Sequence, residues 1–322
     1  MRQPLKALLE ELNKNPQEPN LESLYLLSSL DAEDAAQVHG VWPNLPIELR
    51  QHLVNLLAEV AEADFEMDFG AIFRIGLQDT DAGVRTTAIE GLWEDQDVRL
   101  VPPLIERLQD EAMNVRVAAA TSLGRFVLAG ELGKIRPDPF SQAYEALLAI
   151  CQNGAELFEV RRRALESLSY IDSEDVIALI DEAYTAPQEK MRVSAVFAMG
   201  RSADTRWAPQ VKQEIFSPNP ELRYEAARAC GELQLSDTVD ELEELTEDVD
   251  AEVQEAALWA LGQIGGDKAR EILQRYCGSE CEATRTAAEA ALDELEFLHG
   301  DLASFFDRLG REPGQDSSID EG

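Results

Sequence analysis

Apolar positions recur along this chain with a helical period inside each segment and a longer period between segments. Seven times a residue at the start of such a segment is followed by a polar one, almost always arginine: Val84-Arg85, Val115-Arg116, Val160-Arg161, Met191-Arg192, Leu222-Arg223, Val253-Gln254 and Thr284-Arg285. Their first members are 31 residues apart, except for one interval of 45. Four residues after each comes alanine, at 88, 119, 164, 195, 226, 257 and 288, and eight residues after it Leu92, Leu123, Leu168, Met199, Cys230, Leu261 or Leu292. Positions 0, +4 and +8 lie on one face of a helix, so the pattern predicts a buried stripe with a small residue at its centre, where another helix comes close.

Upstream of most markers runs a second stripe, with Phe73, Leu104, Ile180, Val211, Leu242 and Leu273 each eleven residues before the marker. Between the stripes stand turn formers: Asp79-Thr80-Asp81, Asp110, Pro218-Asn219-Pro220 and Asp248-Val249-Asp250. Their side-chain oxygens can accept hydrogen bonds from the free N–H groups that open the second helix. Each unit therefore reads as helix, short turn, helix. Neither helix can bury its stripe alone, so pairs must stack on their neighbours. The fold this predicts is all-α: an α-solenoid, a right-handed superhelix of helix pairs.

The run Asp250-Ala251-Glu252-Val253-Gln254-Glu255-Ala256-Ala257-Leu258-Trp259-Ala260-Leu261-Gly262-Gln263-Ile264-Gly265-Gly266-Asp267 resembles the short HEAT-like repeat of the phycobilin-lyase type. Gln254 departs from the arginine usual there. The resemblance covers about residues 63 to 297, seven repeats, and what it implies is mainly the fold, because such repeats serve in lyases, in metal-dependent hydroxylases and in scaffolds. It also implies that the recurrent arginines Arg85, Arg116, Arg192 and Arg223 bridge to acidic or turn groups of an adjacent repeat, the alternative being a ladder for a ligand.

Residues 1–62 are expected to form a cap and one degenerate repeat, with Leu49-Arg50 as a faint marker. The long interval places an insertion near residues 130–141, read as a candidate contact loop or a tolerated surface loop. After it, Asp301 to Leu309 can form a capping helix within 298–310, and 311–322 is polar and acidic enough to stay disordered.

Charge narrows the partners. With 28 basic and 63 acidic side chains the formal net charge is -35, which opposes a phosphate backbone or an anionic membrane. The N-terminal residues form no apolar signal stretch, no run is long and apolar enough for a membrane helix, and the four cysteines lack the spacing of a disulfide scaffold. The expectation is a cytoplasmic protein that binds a protein or peptide, with a basic partner favoured, and neither nucleic acid nor membrane.

Candidate chemistry is sparse. His39, His52 and His299 are followed by Gly40, Leu53 and Gly300, so the His-Glu pairs of di-iron hydroxylases built on similar repeats are absent. Cys277 and Cys281 stand four apart with no third ligand nearby in sequence, and read as buried or idle thiols. Neither a phosphate-cradling loop nor a poised acid–base pair emerges. No catalytic residue, metal or cofactor is expected, and the chain reads as one that is not an enzyme.

Positions +2, +6 and +10 of the second helices point away from the stripe and are expected on the concave side. They bring together Tyr170, Val193, Phe197, Arg201, Tyr224, Arg228 and Trp259, flanked by Arg162. Aromatic residues and arginine are the types that interface hot spots favour; the other reading of the same positions is packing between repeats. Glu232 to Glu255 holds 11 acids and no lysine or arginine, either a steering surface for a basic partner or a solvated face. The function that follows is a protein-binding scaffold or adaptor; the alternatives are a bilin lyase or its chaperone subunit, suggested by the resemblance, and an assembly factor for a cofactor-containing protein.

Overall fold

The stripe read from the sequence is what the chain buries. A computed structural model describes residues 3–14 and 24–299; the capping segment Asp301–Leu309 and the tail 311–322 lie outside them. In six of the seven repeats the residues at 0, +4 and +8 are all buried, from Val84, Ala88 and Leu92 to Val253, Ala257 and Leu261. In the seventh only Ala288 is fully covered, with Thr284 and Leu292 partly exposed. The first-helix residues Phe73, Leu104, Ile180, Val211, Leu242 and Leu273 are buried as well. Each such side chain contributes roughly 1.5–3 kcal/mol.

The described residues form an all-α solenoid of helix pairs and contain no strand. The chain divides into two compact units, Met1–Ile171 and Asp172–Gly322. The first holds α1 (Gln3–Lys14), α2 (Ala32–Val41), α3 (Ile47–Ala63), α4 (Gly70–Gly76), α5 (Ala82–Glu90), α6 (Val101–Arg107), α7 (Met113–Glu131), α8 (Pro137–Gln152) and α9 (Phe158–Leu168). The second holds α10 (Glu174–Tyr184), α11 (Glu189–Arg201), α12 (Ala208–Glu214), α13 (Pro220–Glu232), α14 (Val239–Leu245), α15 (Ala251–Ile264), α16 (Asp267–Tyr276) and α17 (Glu282–His299). In the second unit α11, α13, α15 and α17 pack side by side in sequence order, each with its own first helix against it.

Local chemistry sets where the second helices begin. Asp81 accepts from the Val84 N–H at 3.0 Å, Asn219 from Glu221 at 2.8 Å and Asp250 from Glu252 at 2.9 Å, each satisfying an otherwise orphaned donor. The preceding aspartates brace the turn: Asp79 accepts from the Asp81 N–H and Asp248 from that of Asp250.

The marker arginines join one turn to the next. Arg85 donates to the carbonyls of Asp79 and Thr80 in its own turn, and holds both carboxylate oxygens of Asp110, in the following pair, at 2.8 and 2.7 Å. Arg223 repeats this with Ser217, Pro218 and Asp248. Arg116 reaches Glu156 at 2.9 Å and Arg192 reaches Glu214 at 3.0 Å. These four side chains are architectural. The Arg223 guanidinium holds the Asp248 carboxyl below its usual range; burial pushes Asp110 up, but Arg85 and the Ala112 N–H outweigh it and the net direction is down.

Two expectations change in detail. Leu49-Arg50 is a full marker: Leu49, Leu53 and Leu57 of α3 are buried in the same register, and buried Arg50 donates to the Leu45 carbonyl and to Asp79. Leucine at its +4 position hid the repeat. The extra residues of the long interval do not form a loop. They lengthen α7 to 19 residues and α8 to 16, leaving only 132–136 between them. The extension of α7 buries Phe126 and Val127, and that of α8 brings the Phe140 ring against Gly130. Gly133, at φ +66°, makes the turn that separates them.

Candidate protein-binding face

In the second unit, α11, α13 and α15 present residues of their +2, +6 and +10 positions on one side of the layer. Phe197 and Arg201 come from α11, Tyr224, Arg228 and Glu232 from α13, and Trp259 from α15, all half-buried. The Arg201 guanidinium lies 5.3 Å from the Phe197 ring centre and that of Arg228 lies 3.5 Å from the Trp259 ring. Both arginines converge on Glu232, at 3.3 and 3.7 Å. Burial raises the Glu232 carboxyl above its usual range, and the two guanidinium groups offset only part of that rise. Phe197, Arg201, Glu232, Arg228 and Trp259 thus form one chain of contacts that holds its side chains in fixed positions.

Beside this chain lies an open cleft of about 390 Å³, with Tyr224 and Trp259 as walls, Ala287 and Ala290 of α17 as floor, and Glu255 and Glu294 among the lining residues. The helices approach closely here because position +9 is small. A methyl group at Gly231 would stand 2.9 Å from the Ala260 Cα, and one at Gly262 only 2.6 Å from the Ala291 carbonyl oxygen.

Of the residues singled out from sequence, Phe197, Arg201, Tyr224, Arg228 and Trp259 come together. Val193 does not share their exposure: it is 6% exposed, because a second helix flanked by neighbours on both sides buries more than a single stripe. Tyr170 belongs to the first unit and is half-buried there. Arg162, also in the first unit, is buried and paired with Glu159 at 3.1 Å. Sequence reasoning missed the pivotal part of Glu232, although its +10 position was legible: it joins Arg228, one turn earlier on the same helix, to Arg201 on the neighbouring second helix.

Among the described residues, no group of three or more histidine, cysteine, aspartate or glutamate side chains is arranged to hold a metal ion, and no helix is long and apolar enough to cross a membrane. Cys151 and Cys230 are buried, and burial pushes the Cys230 thiol up to about 12. Cys281 is exposed just before α17, where hydrogen bonds from Thr284 lower its pKa.

The model of HEAT repeats matches residues 71–156 and 208–293, more than half of the sequence, and the chain belongs to that family. A curated relative, deoxyhypusine hydroxylase of Cryptococcus neoformans, is 25% identical over 146 residues, 44% of this chain and 40% of the relative. The chain thus spans well under half the length of that relative. Among solved structures, the complex of CpcE and CpcF of phycocyanin lyase from Nostoc sp. PCC7120 is 18% identical, covering 83% of this chain and 95% of that one at a TM-score of 0.51, a likeness of fold. Human deoxyhypusine hydroxylase in complex with glycerol is 18% identical over 92% of this chain and 96% of that one, at a TM-score of 0.31. The expectation that the chain is not an enzyme is corrected by the hydroxylase relative: the same repeat is shared with an enzyme, so a missing histidine motif does not set this chain apart as inactive.

Proposed function

We propose that this chain is a HEAT-repeat scaffold that holds a partner protein against the second-helix face of its second unit, through Phe197, Arg201, Tyr224, Arg228 and Trp259. The observation that carries the reading is the locked aromatic and arginine chain beside an open, alanine-floored cleft. Side chains already held by internal contacts lose little freedom on binding, which favours affinity, and large aromatics with arginine are what hot spots use. A net charge of -35 supports a basic partner and argues against nucleic acid or an anionic membrane. That the Nostoc neighbour is itself a complex of two chains is in keeping with a role in assembly; its bilin lyase activity finds no particular residue here to rest on.

The test is to replace Phe197, Tyr224 and Trp259 together by serine and compare partner recovery by affinity purification from the native cell. We expect the partners recovered with the wild type to be lost while far-UV circular dichroism keeps its helical signal. Unchanged recovery with the triple variant would overturn the assignment of this face.

A further inference from the structure

The first unit breaks the repeat at one ninth position, and that break is exposed. Position +9 after the marker is Gly124, Ser169, Gly200, Gly231 and Gly262 in five consecutive repeats. In the first repeat it is Trp93. There α5 ends at Glu90, the chain turns through residues 91–94, and the indole stands 56% exposed. Phe65, in the segment between α3 and α4, is 82% exposed. The two rings border one cleft of about 450 Å³, together with Met67, Asp68, Gly70 and Glu94. Nothing in the packing of helix pairs requires either ring to face solvent, and paired exposed aromatics beside a cleft mark an interaction surface.

The charges around the cleft select what enters it. The nearby cations are committed: Arg74 pairs with Asp95 at 2.6 Å and Asp97 at 3.2 Å, and Arg125 donates to the Asp95 carbonyl at 3.1 Å. Asp68 and Glu94 are exposed and, among the described residues, carry no ion pair. Among the described residues the Asp68 carboxylate accepts from the Gly70 N–H alone, at 2.8 Å. An indole face with unpaired carboxylates beside it attracts an organic cation on an aliphatic stem.

We infer that this cleft of the first unit is a docking site for a basic segment of a partner protein, taking a lysine or arginine side chain between Phe65 and Trp93 with its charge against Asp68 and Glu94. The inference stands apart from the face in the second unit.

The probe is a short fluorescein-labelled peptide of alternating lysine and leucine, titrated with the full chain and followed by anisotropy at low salt. Binding is expected to weaken at least tenfold in F65S/W93S, several-fold in D68N/E94Q, and not at all in W259S, while a glutamate-for-lysine peptide stays unbound. Trp93→Ser alone, a change at an exposed turn, repeats the test should the double variant fold poorly. Absence of lysine-peptide binding, binding equal in F65S/W93S and wild type, equal binding of the glutamate peptide, or a loss confined to W259S would each overturn the site.

Discussion

The layer of α11, α13 and α15 and the break after α5 carry the same repeat and resolve its ninth position in opposite ways. In the layer, glycine lets neighbouring backbones meet, so that a methyl group at Gly262 would lie 2.6 Å from a carbonyl oxygen. After α5 the same position is an indole turned to solvent. Within a repeat protein, regularity reports contact between neighbours and departure from it reports something else. The same contrast separates the arginines: at the position after the marker they close turns, whereas Arg201 and Arg228, outside that register, organise a surface.

Three changes probe the regular side of this contrast and one the irregular side. The largest effect is expected from Arg85→Met. Its side chain and that of Asp110 are 6% and 4% exposed, and removing one partner of a buried pair costs about 3–5 kcal/mol; Arg107, 3.5 Å from Asp110, favours the lower end. Amide exchange across α5 and α6 should accelerate by about two decades if opening there becomes easier by ~3 kcal/mol. Unchanged exchange would show that the bidentate pair is ornamental. Next comes Gly262→Ala, where the methyl meets backbone; overpacking of this kind costs about 1–3 kcal/mol, read as a lower urea midpoint for the second unit.

The third concerns pH. Asp248 has a folded pKa below its unfolded value, so its contribution is present above the ordinary carboxylate pKa of about 3.9 and is lost as pH falls through the lower folded value. Asp248→Asn, which has no carboxylate to protonate, should be less stable than wild type at neutral pH and should close that gap below about pH 4. A gap that stays constant down to acid pH would remove Arg223 as the cause. The smallest effect belongs to Trp93→Gly: at an exposed turn it should shift stability by no more than about 0.5 kcal/mol, while removing the tryptophan emission most accessible to acrylamide. A large loss of stability would mean that the indole is structural after all.

The pairs were legible because burial is periodic: a marker with alanine four residues on, and a first helix eleven residues before, place every inner helix. The arginine links were legible as a class, and three of the partners follow a spacing the sequence contains, whereas Arg116 and Arg192 reach Glu156 and Glu214 at other spacings. Arg50, Arg85 and Arg223 each find aspartate five residues before the next marker, at Asp79, Asp110 and Asp248. Where that position is Ser279, the marker residue is Gln254, which donates only to the Asp248 carbonyl of its own turn. The candidate face was legible in part. Phe197, Arg201, Tyr224, Arg228 and Trp259 follow from position alone, but a single helical wheel has no neighbours, and it therefore left Val193 exposed. The long interval was misread for a related reason: a count of residues does not say whether helices or loops absorb them, and the apolar faces of α7 and α8 decide that.

The absence of an arginine–aspartate staple at Gln254 has a thermal consequence. Beyond the Arg223 link, the polar ties of the last pair to its neighbour are the hydrogen bond between Thr246 and the Tyr276 hydroxyl, at 2.7 Å, and the surface ion pairs of Lys268 with Asp240 and Arg275 with Glu243, and ionic strength weakens such ion pairs far more than a buried pair. Melting of the second unit is therefore expected to start at α16 and α17, and added salt to bring that first loosening to lower temperature while the stapled pairs upstream hold.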